Sequence, residues 1–548
     1  MSAQQPSCAS LSMCPHRSLR WTSLWKGRLW KAASPTLCLW VLLGIATPMT
    51  EAAENLWLDV ARSSITTSEL HGHVGVLADD MLEGREAGSR GGREAAKYIL
   101  ERLKEASLQP GGAAGRFKQP FLHNHQNLLG LLPGSDPELK GEYVIVGAHY
   151  DHVGYGSRRN SYGPWGYIHN GADDNASGVA ALLEVIDALS QVEHRPRRSI
   201  LFAFWDGEEK GLLGSRHWIA QPTIPVEAVK LALNVDMVGR MTDGRIEVGG
   251  TRSAAGLRRL LSSARLRPGH WLDFNWEFKD NSDHWTFFEA GIPSLYLHTG
   301  LHDDYHRPSD DVEKLNIDGI GHVSAYLLEQ LSQLADTDQL PRFRSAASRE
   351  TPTRQQRLEQ PLPALPPRLD FTWKYVPGLP ATVVVQQVPW RSVAKRAGLV
   401  AGDRIVAVNS QLITSESFLP AVALQSSSEI EVRIDRAGTE LDITVPLVGS
   451  PTRLGLSWRK DPAEPQAVYV TRVVPYSPAD LAGIKLHDRL YQFNSEPISG
   501  PDELLHQVRR LLDQGESLVQ FEIESRGAIR EVEVSLGLPN APISDATL

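Results

Sequence analysis

The sequence predicts an α/β domain on a mostly parallel central sheet flanked by helices, followed by two small β-rich domains. Three observations predict it. Between residues 54 and 335, short apolar runs alternate with helical patterning. Most of those runs end in an acidic residue or a histidine. The C-terminal third repeats itself at a fixed offset of 85 residues. At 548 residues the chain exceeds one ordinary domain. Hydrophobic content of 41% and charged content of 22% supply a full-sized core. A net charge of −9, with no basic stripe, argues against a general nucleic-acid binder.

Residues 1–53 hold five basic residues (Arg17, Arg20, Lys26, Arg28, Lys31) and one acid, Glu51. An apolar run from Leu37 to Ala46 follows, then small residues around Ala52 and Ala53. Basic, apolar and small segments in this order resemble a secretory signal peptide. The run is shorter than the roughly 18 residues of a membrane span, so the expectation is an exported protein, periplasmic or extracellular, without a span after cleavage. Cys8, Cys14 and Cys38 all lie in this leader. The mature chain then has neither disulfides nor thiolate ligands, and any metal is held by His, Asp and Glu.

In the α/β unit, Gly91–Ala106 carries apolar residues at helical spacing. Tyr143–Ala148, Ser199–Trp205, Lys230–Val235 and Ser294–Leu297 are nearly unbroken apolar runs, the pattern of strands buried on both faces. Ser177–Leu189 is a helix between the first two. Residues 336–367, rich in Pro, Gln, Ser and Arg, read as an extended linker. Residues 368–450 and 451–540 are the two copies. Ser392-Val-Ala-Lys-Arg-Ala-Gly-Leu399 matches Ser477-Pro-Ala-Asp-Leu-Ala-Gly-Ile484, and Asp403-Arg404-Ile405 matches Asp488-Arg489-Leu490. The shared pattern resembles PDZ domains, particularly those of secreted bacterial proteases. By that resemblance a Gly-containing loop holds a peptide's terminal carboxylate. Leu454-Gly455-Leu456 fits that loop, whereas the first copy has Leu369-Asp370-Phe371. The second copy is therefore expected to bind peptide or protein C-termini better than the first, against the alternative that both are packing modules.

Five polar clusters carry chemistry. His149 and Asp151 leave the first strand on one face. Binding sites of parallel sheets form at that strand end, and Asp151 can orient the imidazole. Asp173 and Asp174 precede a helix, where N-capping is the ordinary role of an acid, but two exceed what a cap needs. Glu208 and Glu209 follow the second strand; paired acids are commonly solvated, yet here one can ligate a metal while the other moves protons. Asp236 ends the third strand. The last donor lies between His298 and Asp310, where spacing alone does not choose it.

In this order the clusters resemble the co-catalytic zinc exopeptidases that include secreted bacterial leucyl aminopeptidases, glutamate carboxypeptidase II and glutaminyl cyclases. The matching segments are GAHYD, GADDNASG, FWDGEEKGLLGS, NVDM and YHRPSDD, over about residues 70–335. The resemblance implies two zinc ions per chain. His149 and Asp236 would hold one, Glu209 and His306 the other, and Asp174 would bridge them. Glu208 would be the general base toward a bridging water, Asp151 would orient His149, and peptides would be cut at their N-termini. Glutaminyl cyclase or carboxypeptidase activity is the alternative within the superfamily. An inactive peptidase fold serving as a PDZ scaffold is the alternative outside it.

Overall fold

A nine-stranded sheet organises the N-terminal half of the computed structural model. The structure describes residues 47–536 apart from 277, 379 and 380, and side chains from residue 56 onward. The apolar run Leu37–Ala46 and the three cysteines lie outside the described residues. No helix among the described residues is long and apolar enough to cross a membrane.

The strands are β1 (Gln109–Pro110), β2 (Lys118–Phe121), β3 (His125–Leu132), β4 (Tyr143–His149), β5 (Ser199–Trp205), β6 (Val229–Val235), β7 (Arg245–Gly249), β8 (Trp271–Asn275) and β9 (Ser294–His298). Their order is β1-β3-β5-β4-β6-β9-β7-β8, with β2 on β3. Strands β5, β4, β6 and β9 are mutually parallel. The flanks are not: β3 runs antiparallel to β5, and β7 antiparallel to β9. Parallel pairing thus runs through the four central strands that the apolar runs predict, and recurs at one edge between β7 and β8.

Alternation along the central strands feeds two cores. On one face Val144, Val146, Phe202 and Leu233 meet α2 (Thr67–Leu77), α3 (Arg90–Glu105), α4 (Gly178–Ser190) and α8 (Ile317–Asp336), numbering helices in chain order from α1 (Thr47–Ser64). On the other, Ile145, Leu201 and Ala203 meet Trp218 of α5 (Leu213–Ala220) and Phe287 of α7 (His284–Glu289). Most of α4 is buried, because it lies between the sheet and α8. Local signals start the helices: the side chains of Thr66, Ser89 and Asn316 each accept a main-chain N–H in the first turn.

The C-terminal third forms two antiparallel sheets of the same topology. The first is β10 (Thr372–Val376), β11 (Thr382–Gln387), β12 (Arg404–Val408), β13 (Gln411–Leu412), β14 (Glu429–Arg436) and β15 (Thr439–Pro446). The second is β16 (Leu456–Asp461), β17 (Glu464–Val473), β18 (Arg489–Phe493), β19 (Glu496–Pro497), β20 (Leu518–Ser525) and β21 (Ala528–Ser535). The matched serines of the repeat, Ser392 and Ser477, each cap a one-turn helix.

One expectation changes. Residues 336–367 are not uniformly extended. Thr351 caps a helix, α9 (Pro352–Glu359), and Leu358 is buried. Glu350 just before it bonds Arg252 at 2.9 Å and Arg344 at 2.8 Å. These tertiary contacts order a segment whose composition reads as a linker. Asp370, which stands where the second copy has Gly455, is engaged within its own domain. Its carboxylate accepts the main-chain N–H of Val393 (2.5 Å) and Ala394 (3.2 Å), so it caps the one-turn helix that follows. At the matching place in the second copy, Gly455 (φ +87°) lies so close to Ser477 that an added Cβ would come within 2.1 Å of its side chain.

The second sheet domain docks on the first half through buried and partly buried ion pairs. Arg258 grips Glu524 with two bonds of 2.7 and 3.1 Å, Arg259 meets Glu522 at 2.6 Å, and Arg252 meets Asp461 at 2.7 Å. The main chains join as well, Leu272 N–H donating to Arg526 at 3.0 Å and Gly256 N–H to Ala463 at 2.9 Å. Glu524 is fully buried. Glu524→Leu alone strands the Arg258 charge and is expected to cost about 3–5 kcal/mol. Pairing it with Arg258→Met should return most of that loss, as read by chemical denaturation of the four proteins in the cycle.

Candidate metal centre

The central strands deliver their polar exits to one edge of the sheet. His149 ends β4, and its Nε2 lies 3.2 Å from Asp236 Oδ1, just past β6, and 3.3 Å from Asp174 Oδ1. Asp174 sits in the tight turn that precedes α4. Glu209 follows β5, and His306 comes from the loop after β9 with a left-handed φ of 50°. His306 Nε2 lies 3.1 Å from Asp174 Oδ2 and 3.2 Å from Glu209 Oε2. The structure therefore brings together His149, Asp174, Asp236, Glu209 and His306. His302, the other histidine of that loop, instead faces Asp173 at 3.2 Å.

Asp173 is turned away from the cluster: its Oδ1 accepts from Gly239 N–H at 2.6 Å and from Ser177 at 2.9 Å. Asp151 sits behind His149. Its carbonyl oxygen is 3.2 Å from His149 Nδ1, its carboxylate 3.8 Å away, and Oδ1 accepts the Glu208 N–H at 3.0 Å. One acid thus touches both a candidate ligand and the candidate base. Asp310 accepts the N–H groups of both Asp173 and Asp174 at 3.0 and 3.1 Å, fixing the turn that aims Asp174.

Sequence reasoning missed three contributors. His152 is buried and its Nδ1 lies 2.9 Å from Glu209 Oε1; its signal was a second histidine three residues after His149. Ser282 donates to Asp236 Oδ2 at 2.7 Å and accepts from Asn234 at 2.7 Å. Arg85 is buried and donates to four carbonyls, those of Tyr150, Leu77, Asn170 and Gly171. It ties the loop after β4 to the turn before α4, and no local pattern announces it.

The electrostatics are those of a cation site. Burial pushes Glu208 well above the usual carboxylate range, and Glu209, Asp283 and Asp236 add to it against the pull of His149. Burial works against Asp174, but His152, His149 and His306 overcome it and hold its carboxyl well below the usual range. Burial opposes charging of His306 too, yet Asp174 and Glu209 raise it to about 11. Burial lowers Arg85 to about 10 despite the surrounding acids. The donors form two groups sharing Asp174, one of His149, Asp174 and Asp236, the other of His152, Asp174, Glu209 and His306. Nitrogen and oxygen donors without thiolate suit catalytic zinc. Beside them, a cavity of about 250 Å³ is lined by Glu247, Asn275, Asn281, Tyr296, His298 and Leu301. Tyr296 ties this cavity to the centre, its hydroxyl feeling the charges of Asp236 and Glu208.

Residues 127–331 match the profile of peptidase family M28. Among curated proteins, the chain is 33% identical over 156 residues to a "Probable leucine aminopeptidase 1" of Trichophyton verrucosum, covering 27% of this chain and 39% of that one. It is 27% identical over 243 residues to a "Probable lipoprotein aminopeptidase LpqL" of Mycobacterium tuberculosis, covering 41% and 46%. The chain therefore spans less than half the length of these relatives. Among solved structures, the zinc aminopeptidase BSAP of Bacillus subtilis aligns at 15% identity with a TM-score of 0.39, over 51% of this chain and 98% of that one.

Burial raises Asp283 to about 6 and Asp310 to about 7. Both stand above the ordinary value for an unfolded chain, near 3.9, so the folded protein takes up these protons first. The stability this contributes is full below about pH 4 and is lost as pH rises through about 6 and 7. Chelated protein is expected to melt at a lower temperature at about pH 8 than at about pH 5. Zinc-loaded protein should show the reverse, because the ligands must be deprotonated to bind. Scanning calorimetry in chelator and in zinc checks both signs.

Proposed function

From the peptidase family M28 segment that this chain carries, we propose that it is an exported two-zinc metallopeptidase, most specifically an aminopeptidase that removes N-terminal residues from peptides. The observation that supports this reading is the pair of donor groups sharing Asp174 at the exits of three central strands. His149, Asp174 and Asp236 would hold one zinc; Asp174, Glu209 and His306 would hold the other. When bound, the two ions supply Lewis acidity toward the scissile carbonyl and toward the attacking water.

Every other step belongs to the chain's own residues. Glu208 accepts the proton of the attacking water and returns it to the leaving amine. Its raised proton affinity suits both transfers, because a base far weaker than the leaving group could not hold the proton between them. Asp151 holds Glu208 through its main chain and His149 through its ring, keeping base and ligand in register. Ser282 fixes the free oxygen of Asp236. The polar walls of the neighbouring cavity would receive the side chain of the substrate's first residue.

The two C-terminal domains we read as PDZ-like modules. In the second, Leu454, Gly455 and Leu456 are the peptide-binding loop, able to take peptide or protein C-termini. In the first, Asp370 stands where that loop's glycine would be and its carboxylate caps the one-turn helix instead.

Glu208→Gln is expected to retain both zinc ions by elemental analysis while losing about 10²–10⁴-fold in kcat. Undiminished turnover would overturn the assignment. A screen of aminoacyl, carboxypeptidase and N-terminal glutaminyl substrates, with and without chelator, separates the aminopeptidase from its superfamily alternatives. Failure to bind zinc at all would favour the inactive scaffold.

A further inference from the structure

Of the two donor groups, one is larger than the resemblance to known zinc exopeptidases requires. His152 lies with Asp174, Glu209 and His306, all four ligand atoms within 4.8 Å of one another. Its Nδ1 is 2.9 Å from Glu209 Oε1 and 3.7 Å from Asp174 Oδ2. His306 Nε2 lies 3.2 Å from the other oxygen of Glu209, Oε2, and 3.1 Å from the same Asp174 Oδ2. Four donors bound tetrahedrally at about 2.0–2.1 Å stand roughly 3.3 Å apart, a value that these separations of 2.9 to 3.7 Å bracket. The rings of His152 and His306 are 5.5 Å apart and nearly perpendicular, so both can aim a nitrogen at one point without stacking.

The main chain holds His152 in place for this. Its N–H donates to Arg85 O at 3.3 Å, and Glu86 pairs with it in a parallel bridge. Gly171 makes room for the ring: at φ +56°, an added Cβ would lie 2.5 Å from the imidazole. His152 is buried, and its Nε2 has no hydrogen-bond partner among the described residues. A histidine serving only to fill the core would satisfy its ring with protein groups. This one points its single engaged nitrogen into a cluster of metal donors.

We propose that His152 is a fourth protein ligand of the second metal site, through Nδ1. This rests on the two-metal reading above and makes the two sites unequal. The second site is closed by four protein donors, the arrangement that holds zinc tightly. The first, with His149, Asp174 and Asp236, would have one protein donor fewer and so more room for substrate.

Cobalt substitution tests it. Each imidazole bound to cobalt gives one strongly shifted, solvent-exchangeable ring N–H proton signal. The wild-type protein with two cobalt ions should show three such signals, from His149, His152 and His306, and His152→Ala should show two. His152→Gln, which keeps a hydrogen bond to Glu209, should also show two. Chelator competition should find one metal equivalent weakened by about 100-fold or more in both variants, the other unchanged. Two signals in the wild type, unaltered by either substitution, would show that His152 only hydrogen-bonds Glu209 and would overturn the proposal while leaving the two-metal reading intact. Fewer than two bound metals in the wild type would overturn both.

Discussion

The dominant constraint on this fold is the burial of many carboxylates at one edge of a sheet. Asp151, Asp173, Asp174, Asp236, Asp283 and Asp310 are all at most 5% exposed. Burying that much like charge is unfavourable unless each group is hydrogen-bonded or neutralised. The surrounding loops are shaped by this need. Main-chain N–H groups of residues 173, 174, 208 and 239 all point at carboxylates rather than at one another. Arg85 brings a buried positive charge near the cluster, but its own bonds go to carbonyl oxygens. The imidazoles supply the remaining compensation, and divalent cations would complete it.

Much of this was legible in the sequence, for a physical reason. Strands buried on both faces read as unbroken apolar runs, so β4, β5, β6 and β9 were visible, and the acids at their ends marked the edge. The antiparallel flanks were less so, because β7 and β8 carry mixed residues such as Glu247 and Asp273. His306 could be picked only by resemblance, since the choice between it and His302 depends on which loop atoms reach Asp174. His152 was hidden because an imidazole after a strand has many uses, and its role depends on residues about 20 to 150 positions away. Arg85 was invisible because its partners are carbonyl groups, which every residue carries. The same holds for α9, ordered by tertiary ion pairs, and for Asp370, whose partner is a helix start rather than a groove.

The ion pairs around Arg252 join regions that composition treats as separate. Its guanidinium contacts Glu350 before α9, Asp461 at the end of β16 and the face of Trp276, 3.6 Å from the ring centroid. Trp276 directly follows Asn275, which lines the cavity beside the metal centre. One arginine therefore ties the first strand of the second repeat, the connecting segment and a loop beside the donor cluster into a single packed unit.

That docking also makes the two repeats non-interchangeable. In the strand ladders Glu522 faces Gln492, and the matching position of the first copy, opposite Ala407, is Arg433. Where the second copy has Asp461, the first has Val376, three residues after the matched tryptophan in each. Placed on the same surface, the first copy would set an arginine against Arg259 and a valine against Arg252. A duplicated module has thus acquired an address written in charge: one copy is keyed to the α/β body, and swapping their order along the chain would leave a lock without its key.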